Sequence, residues 1–180
     1  MKCNRPTAAV CLMVFVLMAW SSTIAAQTSE YRLQEPARFT QREMLRDLKG
    51  LAVSVLIDAD FTLQGLTQDH LQTSVELRLR RSGIQVLTAQ EASQLAGNPV
   101  LYINVSLLKS TLLYVYSVGV QLQQQVSLKR LPSVESHTPT WQTSLLGFVT
   151  SIGDPSAKMQ QSIDNLLDRF SNDYLAVNPK

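Results

Sequence analysis

Apolar and polar side chains alternate most regularly between residues 112 and 128. A period of two is typical of a β-strand that buries one face and leaves the other in water. The apolar face holds Tyr114, Tyr116, Val118, Val120, Leu122, Val126 and Leu128. The opposite face holds Ser117, Gly119, Gln121, Gln123, Gln125 and Ser127. The pattern therefore predicts a long antiparallel strand in this segment.

Shorter patterns predict four further strands. Leu51–Ile57 is short, apolar and rich in β-branched residues, which favours a buried strand. Similar features predict strands at residues 84–87 and 100–108, and a last one near residues 140–148. Pro132 and Pro139 come before the last strand and indicate a loop there.

Spacing and capping residues predict a helix after the first strand. Leu71, Val75 and Leu79 recur every four residues, so they share one helical face. Thr67 is a good N-cap for this helix. Gly83 is placed to end it, because glycine enters the left-handed conformation at low cost.

Capping residues predict two further helices. Thr88 and Glu91 fit a capping box for a short helix. Asp154 and Pro155 provide a capping side chain and a proline at the first helical position. A long apolar stripe follows them, made of Met159, Ile163, Leu166, Leu167, Phe170 and Tyr174.

The order of these elements predicts the fold class. Helices on one face of a mostly antiparallel sheet bury every apolar stripe described above. We expect an α+β fold, a two-layer sandwich of about five strands with the helices packed on one face. This single domain spans residues 51–180 and follows a polar leader at residues 27–50. In the leader, Thr40 and Glu43 fit a capping box, and a short helix there could end at Gly50.

The first 26 residues have the three-part order of a secretory signal peptide. Lys2 and Arg5 precede an apolar run over residues 8–20, and small residues lead to Ala26. The run is shorter than the ~20 residues that a membrane-spanning helix needs. Neither Cys3 nor Cys11 stands where a lipoprotein signal places its lipid-bearing cysteine. We expect cleavage near Ala26, which leaves a periplasmic or secreted domain with no stable membrane anchor.

Processing changes the charge and the cysteine content of the chain. The full sequence has 16 basic and 14 acidic residues and a net charge of +2. Lys2 and Arg5 leave with the signal, so the mature domain is close to neutral, which does not favour binding to nucleic acid. Both cysteines also leave. The mature domain therefore has no disulfide, no thiol nucleophile and no cysteine metal site.

Several segments resemble a family of bacterial exported proteins to which no activity is assigned. The matching segments are residues 48–51, 65–84, 86–88, 101–105, 170–175 and 178–180. The ending is the most specific part, with Asn-Asp-Tyr-Leu at 172–175 and Asn-Pro-Lys at the terminus. The element order is also similar to that of the amino-terminal domain of TolB and of related envelope assembly domains. These resemblances imply a fold and an exported location, and fold alone does not imply function.

The sequence contains few candidates for catalysis or metal binding. His70 falls in the first turn of a predicted helix and His137 in a loop bounded by prolines, and neither has a partner at metal-ligand spacing. Asp58 and Asp60 follow the first strand. They could bind a cation, but the Gly and Glu of a calcium loop do not follow them, which favours a turn. We therefore expect no enzyme activity, no metal site and no cofactor.

The polar face of the long strand is the most unusual surface that the sequence predicts. It carries no charge, so little prevents another strand or partner from docking nearby. Gln121, Gln123 and Gln125 are the candidate binding residues. An ordinary wet sheet face is the simpler interpretation of the same pattern.

These observations lead to one main hypothesis and two alternatives. The main hypothesis is an exported, non-enzymatic domain that binds an envelope protein or assembles with itself. The first alternative is a carrier of a small molecule or lipid, held beneath a helix by Tyr114, Tyr116 and Trp141. The second is a hydrolase that uses Asp58, Asp60 or His70.

The signal peptide can be tested by the mass of the exported protein. We expect a chain that begins at Gln27, or at Ala26 if cleavage falls one residue earlier, because both sites follow small residues. Intact-mass measurement and N-terminal sequencing of protein from the cell envelope fraction check this. An exported protein that retains Met1 would contradict it.

Overall fold

The computed structural model describes residues 38–58, 67–150 and 154–179. Residues 38–40 belong to a separate unit that ends at Thr40, and they are helical; the larger unit begins at Gln41. The larger unit contains β1 (Leu51–Ile57), α1 (Gln68–Arg81), β2 (Val86–Leu87), α2 (Ala89–Ser93), β3 (Val100–Lys109), β4 (Leu113–Leu128), β5 (Leu131–Thr150) and α3 (Pro155–Val177). The expected signal peptide at residues 1–26 lies outside the described residues.

The five strands form one open sheet in the order β2-β1-β3-β4-β5. β1 pairs in parallel with both β2 and β3. β3, β4 and β5 pair antiparallel over much longer ladders. The sheet is therefore mostly antiparallel, and the expected α+β class with about five strands is confirmed. β5 is a long edge strand, whereas β2, at the opposite edge, has only two residues.

The helices begin where their caps predict. Thr67 accepts a hydrogen bond from the His70 amide, and Asp154 accepts one from the Ala157 amide. Thr88 and Glu91 form the reciprocal contacts of a capping box at α2. The buried residues of α1 and α3 pack on one face of the sheet. The core joins Leu71, Val75 and Leu79 of α1 with Leu101, Ile103 and Val105 of β3, Val118, Val120 and Leu122 of β4, and Ile163, Leu167 and Phe170 of α3.

The short helix expected between Thr40 and Gly50 is wrong in both its start and its end. Thr40 is itself helical, so it is not the N-cap, and the Glu43 carboxylate accepts hydrogen bonds from Arg46 instead. Helix ends at residue 43, and residues 44–47 form a turn in which Asp47 has φ of 59°. The turn places Leu45 in the core with no exposed surface. Burial of one leucine therefore outweighs continuation of a marginal helix.

The loop expected around Pro132 and Pro139 is also wrong, because both prolines lie within β5. Proline removes a backbone donor, but an edge strand tolerates it when that side of the strand faces solvent. The register between β4 and β5 shifts beside Pro139, where Leu122 pairs with Trp141 and Gln123 with Pro139. The shift leaves Thr140 as an extra residue, in the manner of a β-bulge.

The second strand is also shorter than expected, at Val86–Leu87.

A buried carboxylate joins α3 to β5 and to the start of the unit. Asp173 is 2% exposed. Its Oδ1 accepts hydrogen bonds from Nε and Nη2 of Arg42, at 3.0 and 2.8 Å, and its Oδ2 accepts one from Nε1 of Trp141 at 3.1 Å. The Trp141 ring also meets Phe170 edge to face, with 5.0 Å between ring centroids. Trp141 is thereby fixed against α3 by one polar and one aromatic contact.

Tyr116 makes a second link between α3 and the sheet. Its hydroxyl lies 3.0 Å from the Ser162 hydroxyl, and the residue is 2% exposed. The ring passes directly over Gly147 of β5. A Cβ atom at position 147 would lie 2.4 Å from the Tyr116 Cζ atom. Gly147 therefore provides the space that the Tyr116 ring occupies.

Replacement of Gly147 by Ala is expected to lower the free energy of unfolding by about 1–3 kcal/mol, the usual cost of overpacking. The added methyl would displace a ring that Ser162 holds in place. Gly119→Ala is the matched control, because a Cβ there meets nothing within 4 Å. In that control, Ala should stabilise the strand by roughly 0.5–1 kcal/mol. Urea unfolding of both variants checks this, and equal effects would contradict the packing account.

Replacement of Arg42 by Met is expected to lower the free energy of unfolding by about 1.5–3 kcal/mol, because it removes charged hydrogen bonds from a buried carboxylate. Arg46→Met is the control. It breaks a pair with Glu43 that is exposed to solvent and worth less than about 1 kcal/mol. Thermal or urea unfolding compares the two. A loss from Arg42→Met no larger than that from Arg46→Met would contradict the role given to Asp173.

Candidate functional site

The sheet face opposite the helices is the candidate interaction surface, and we call it the open face. Its side chains come from the strand positions between those that face the core. In β5 these are Gln142, Ser144, Leu146, Phe148 and Thr150, all of which are exposed. The partners that lie beside them in β4 are Gln121, Gly119, Ser117, Val115 and Leu113, in that order.

The middle of the open face is a polar groove of about 370 Å³. Its lining includes Asn104 of β3, Gly119 and Gln121 of β4, and Gln142 and Ser144 of β5. Gly119 widens the groove because it places no side chain on this face, and nothing lies within 4 Å of where its Cβ would be. The lining is uncharged, so it can make hydrogen bonds with a ligand but does not favour a ligand of either charge.

The open face becomes apolar toward the turn that joins β3 to β4. Leu108, Val115 and Phe148 lie side by side across β3, β4 and β5. Leu146 lies two residues from Phe148 on the same face. Leu108 is 70% exposed, and Leu146 and Phe148 are each 75% exposed. We call Leu108, Leu113, Val115, Leu146 and Phe148 the apolar end. Contiguous exposed apolar patches of this kind mark interaction sites in soluble proteins.

The outer edge of β5 adjoins this surface. Among the described residues, no backbone hydrogen bond joins that edge to another segment. Residues 138–150 contain no charged side chain. Pro139 and the register shift beside it interrupt the edge at one end, but Trp141 to Thr150 has neither a proline nor a lysine. Natural edge strands usually contain charged side chains or proline, because these residues prevent a further strand from pairing.

The three glutamines predicted as binding residues lie in different surroundings. Gln121 lines the polar groove beside Gln142. Gln123 pairs with Val100 and Pro139, outside the groove. Gln125 lies in the part of the β4–β5 hairpin beyond β3, where its amide donates to the Glu135 carboxylate. The structure therefore places Gln121 at the groove and separates it from the other two.

The sequence pattern does not reveal the apolar end. Leu145 and Leu146 are adjacent, and the pattern alone does not say which one faces the core. The position of Trp141 decides it, since Leu145 shares its face and Leu146 does not. That information depends on the contact of Trp141 with Asp173, which is 32 residues away in the chain.

The residues considered for catalysis are not brought together. Asp58 is exposed, and its amide donates to the Val105 carbonyl at the end of β1. Asp60 lies outside the described residues. His70 is exposed at the start of α1, and His137 is exposed on β5 beside Gln125. Within the described residues, no three His, Cys, Asp or Glu side chains are close enough to hold a metal ion.

A second groove, of about 340 Å³, lies between α1 and α3. Arg78 occupies it and contacts Asp168 at 2.8 Å and Asp164 at 3.6 Å. These carboxylates neutralise the cation, so the groove holds an interhelical ion pair. Arg80 pairs with Glu76 along α1. Arg78 therefore links α1 to α3, and Arg80 makes an ion pair within α1.

Two titratable groups show shifts with clear local causes. Hydrogen bonds from the backbone and side chain of Thr88 lower the pKa of Glu91, as expected for a carboxylate in a capping box. Burial raises the pKa of Tyr174, whose hydroxyl donates to the Leu48 carbonyl at 2.9 Å. Both groups stabilise local structure, and neither lies on the open face.

Comparison with known proteins adds no assignment. No protein-family model matches the sequence. No curated protein matches it either. Within the described segments, no helix is both long enough and apolar enough to cross a membrane.

Proposed function

We propose that this chain is an exported, non-enzymatic domain that binds another protein chain through β5 and the apolar end of the open face. The observation that carries the proposal is the outer edge of β5 between Trp141 and Thr150. This edge is uncharged and free of proline, and it bears two side chains that are three-quarters exposed, Leu146 and Phe148. The exported location follows from the signal peptide expected at residues 1–26.

An extended partner can gain two kinds of contact at this site. Backbone hydrogen bonds to an open sheet edge provide affinity, and side chains on alternate positions provide selectivity. Leu146 and Phe148 stand on alternate positions of β5 and point to the open face. A partner strand added beside them would cover both side chains as well as pair with the edge. Burial of each would contribute roughly 1.5–3 kcal/mol if complete.

The carrier alternative receives less support from the side chains on which it depends. Trp141 and Tyr116 are 1% and 2% exposed, and each makes a hydrogen bond inside the core. Side chains in such positions fill space between α3 and the sheet. Tyr114 is half-buried, and the Lys109 ammonium lies 5.7 Å from its ring centre. The proposed interaction surface, by contrast, uses side chains that face water.

Site-specific photocrosslinking in the cell of origin tests the proposal. A photoreactive phenylalanine analogue at position 148 replaces one aromatic side chain with another on an exposed site. The control places the same analogue at Asn165, which is exposed on α3, away from the sheet. We expect a crosslinked protein adduct from position 148 and little or none from position 165.

The outcomes of this experiment separate the hypotheses. An adduct at position 148 with an envelope protein or with a second copy supports an interaction domain. Adducts from Asn165 alone would overturn the proposed surface. If neither position gives a protein adduct in the exported chain, the proposed function is wrong.

A further inference from the structure

We propose that the partner at β5 is a second copy of this chain, paired antiparallel about a two-fold axis at Gly147. This inference rests on the interaction surface proposed above and names its occupant. Three features of the sheet support it: residues 138–150 of β5 carry no charge, their side chains match under a two-fold rotation, and the opposite sheet edge is short.

The lack of charge removes the usual obstacle to self-pairing. A two-fold axis brings each residue of a strand close to residues of the same strand in the other copy. Any charged side chain near the axis would then face a like charge, and like charges on neighbouring strands destabilise a sheet. Residues 138–150 carry none. The β5 edges of two copies can therefore pair without repulsion between like charges.

The side chains of β5 also fit one another in this register. With Gly147 on the axis, Leu146 lies opposite Phe148 of the second copy, and Phe148 lies opposite its Leu146. On the face toward the helices, Leu145 lies opposite Val149 in the same way. Each copy thus forms apolar cross-strand pairs on both faces, a kind of pair that stabilises antiparallel strands. The ladder ends with Ser144 opposite Thr150, where two hydroxyls can exchange a hydrogen bond.

The position of Gly147 favours this axis. The Tyr116 ring occupies the space beside Gly147 on the helix side, and no side chain projects from it on either face. The axis therefore brings no pair of side chains together beside the two Tyr116 rings. The Leu146 and Phe148 side chains on the two flanks then meet above it, so the apolar ends of the two open faces become continuous.

The assembly closes at two copies. β5 is used by both copies in the same contact, which is the property of an isologous interface. The other sheet edge is β2, which has only two residues and offers too short a ladder for further addition. A β5–β5 contact therefore gives a dimer with one continuous sheet rather than an open fibre.

Cysteine crosslinking tests the register. The variants Leu146→Cys and Phe148→Cys are made in a full-length chain in which Cys3 and Cys11 are replaced by Ser, so that each chain has one thiol. Directly opposite residues in an antiparallel pair have Cα atoms about 4.5–5.5 Å apart, which suits a disulfide. We expect a mixture of the two variants to form the mixed disulfide several-fold faster than either variant forms a disulfide with itself.

Sedimentation across a concentration series tests the dimer. The unmodified chain should show a reversible monomer–dimer equilibrium. Leu146→Lys should weaken the dimer about tenfold or more, because it buries an unpaired ammonium against Phe148 of the second copy. Leu56→Lys is the matched control. It makes the same change at a half-exposed leucine of β1, which lies outside the apolar end and three strands away from β5, and it should leave the equilibrium unchanged.

Each result has a definite meaning. A chain that sediments as a monomer at every concentration overturns the dimer, and equal effects of the two lysine variants overturn the β5 contact. Faster self-crosslinking of Leu146→Cys overturns the Gly147 axis. If the chain is a monomer but position 148 crosslinks to a different protein in cells, the interaction function stands and the second copy is excluded. If there is neither a dimer nor a crosslinked adduct, both proposals are wrong.

Discussion

The contact of Trp141 with α3 is the constraint on which the rest of the surface depends. The indole of Trp141 donates to the buried Asp173 and packs edge to face on Phe170. Because side chains alternate along a strand, this one anchor determines the direction of every residue that follows in β5. Leu145, Gly147 and Val149 face the helix layer, and Leu146 and Phe148 face water. The Arg42 guanidinium pairs with the Asp173 carboxylate. This pairing offsets the cost of burying the carboxylate beside the Trp141 indole.

Within the described residues, α1 and α3 pack on one face of the sheet, and no strand pairs with the outer edge of β5. α1 and α3 cover β1, β3 and β4 from one side, and α3 reaches β5 through Trp141. An antiparallel sheet can leave its other face in water when that face is polar. The groove around Gly119 and Gln121 meets this condition, and the apolar end does not. The proposed protein contact at β5 accounts for this difference between the two parts of one face.

The sequence predicts the local elements well and the long-range ones less well. The caps at Thr67, Thr88 and Asp154 are local signals, and the alternation in β4 is regular enough to assign Tyr116 and Val118 to the core. The prolines of β5 suggest a loop, because their acceptance in a strand depends on its position at the sheet edge. The pairing of Arg42 with Asp173 spans 131 residues, and no local pattern reveals it. No local pattern reveals the apolar end either, since the direction of its β5 side chains depends on the contact of Trp141 with Asp173, 32 residues away.

Hydrogen–deuterium exchange of the β5 amides, measured at low and high protein concentration, tests the central claim most directly. If β5 pairs with another copy, amides between residues 144 and 150 gain protection as concentration rises. The amides of the exposed hairpin near Glu135, and those of α1, should exchange at the same rate at both concentrations. Exchange in residues 144–150 that does not change with concentration and remains as fast as that of an open edge would contradict the account.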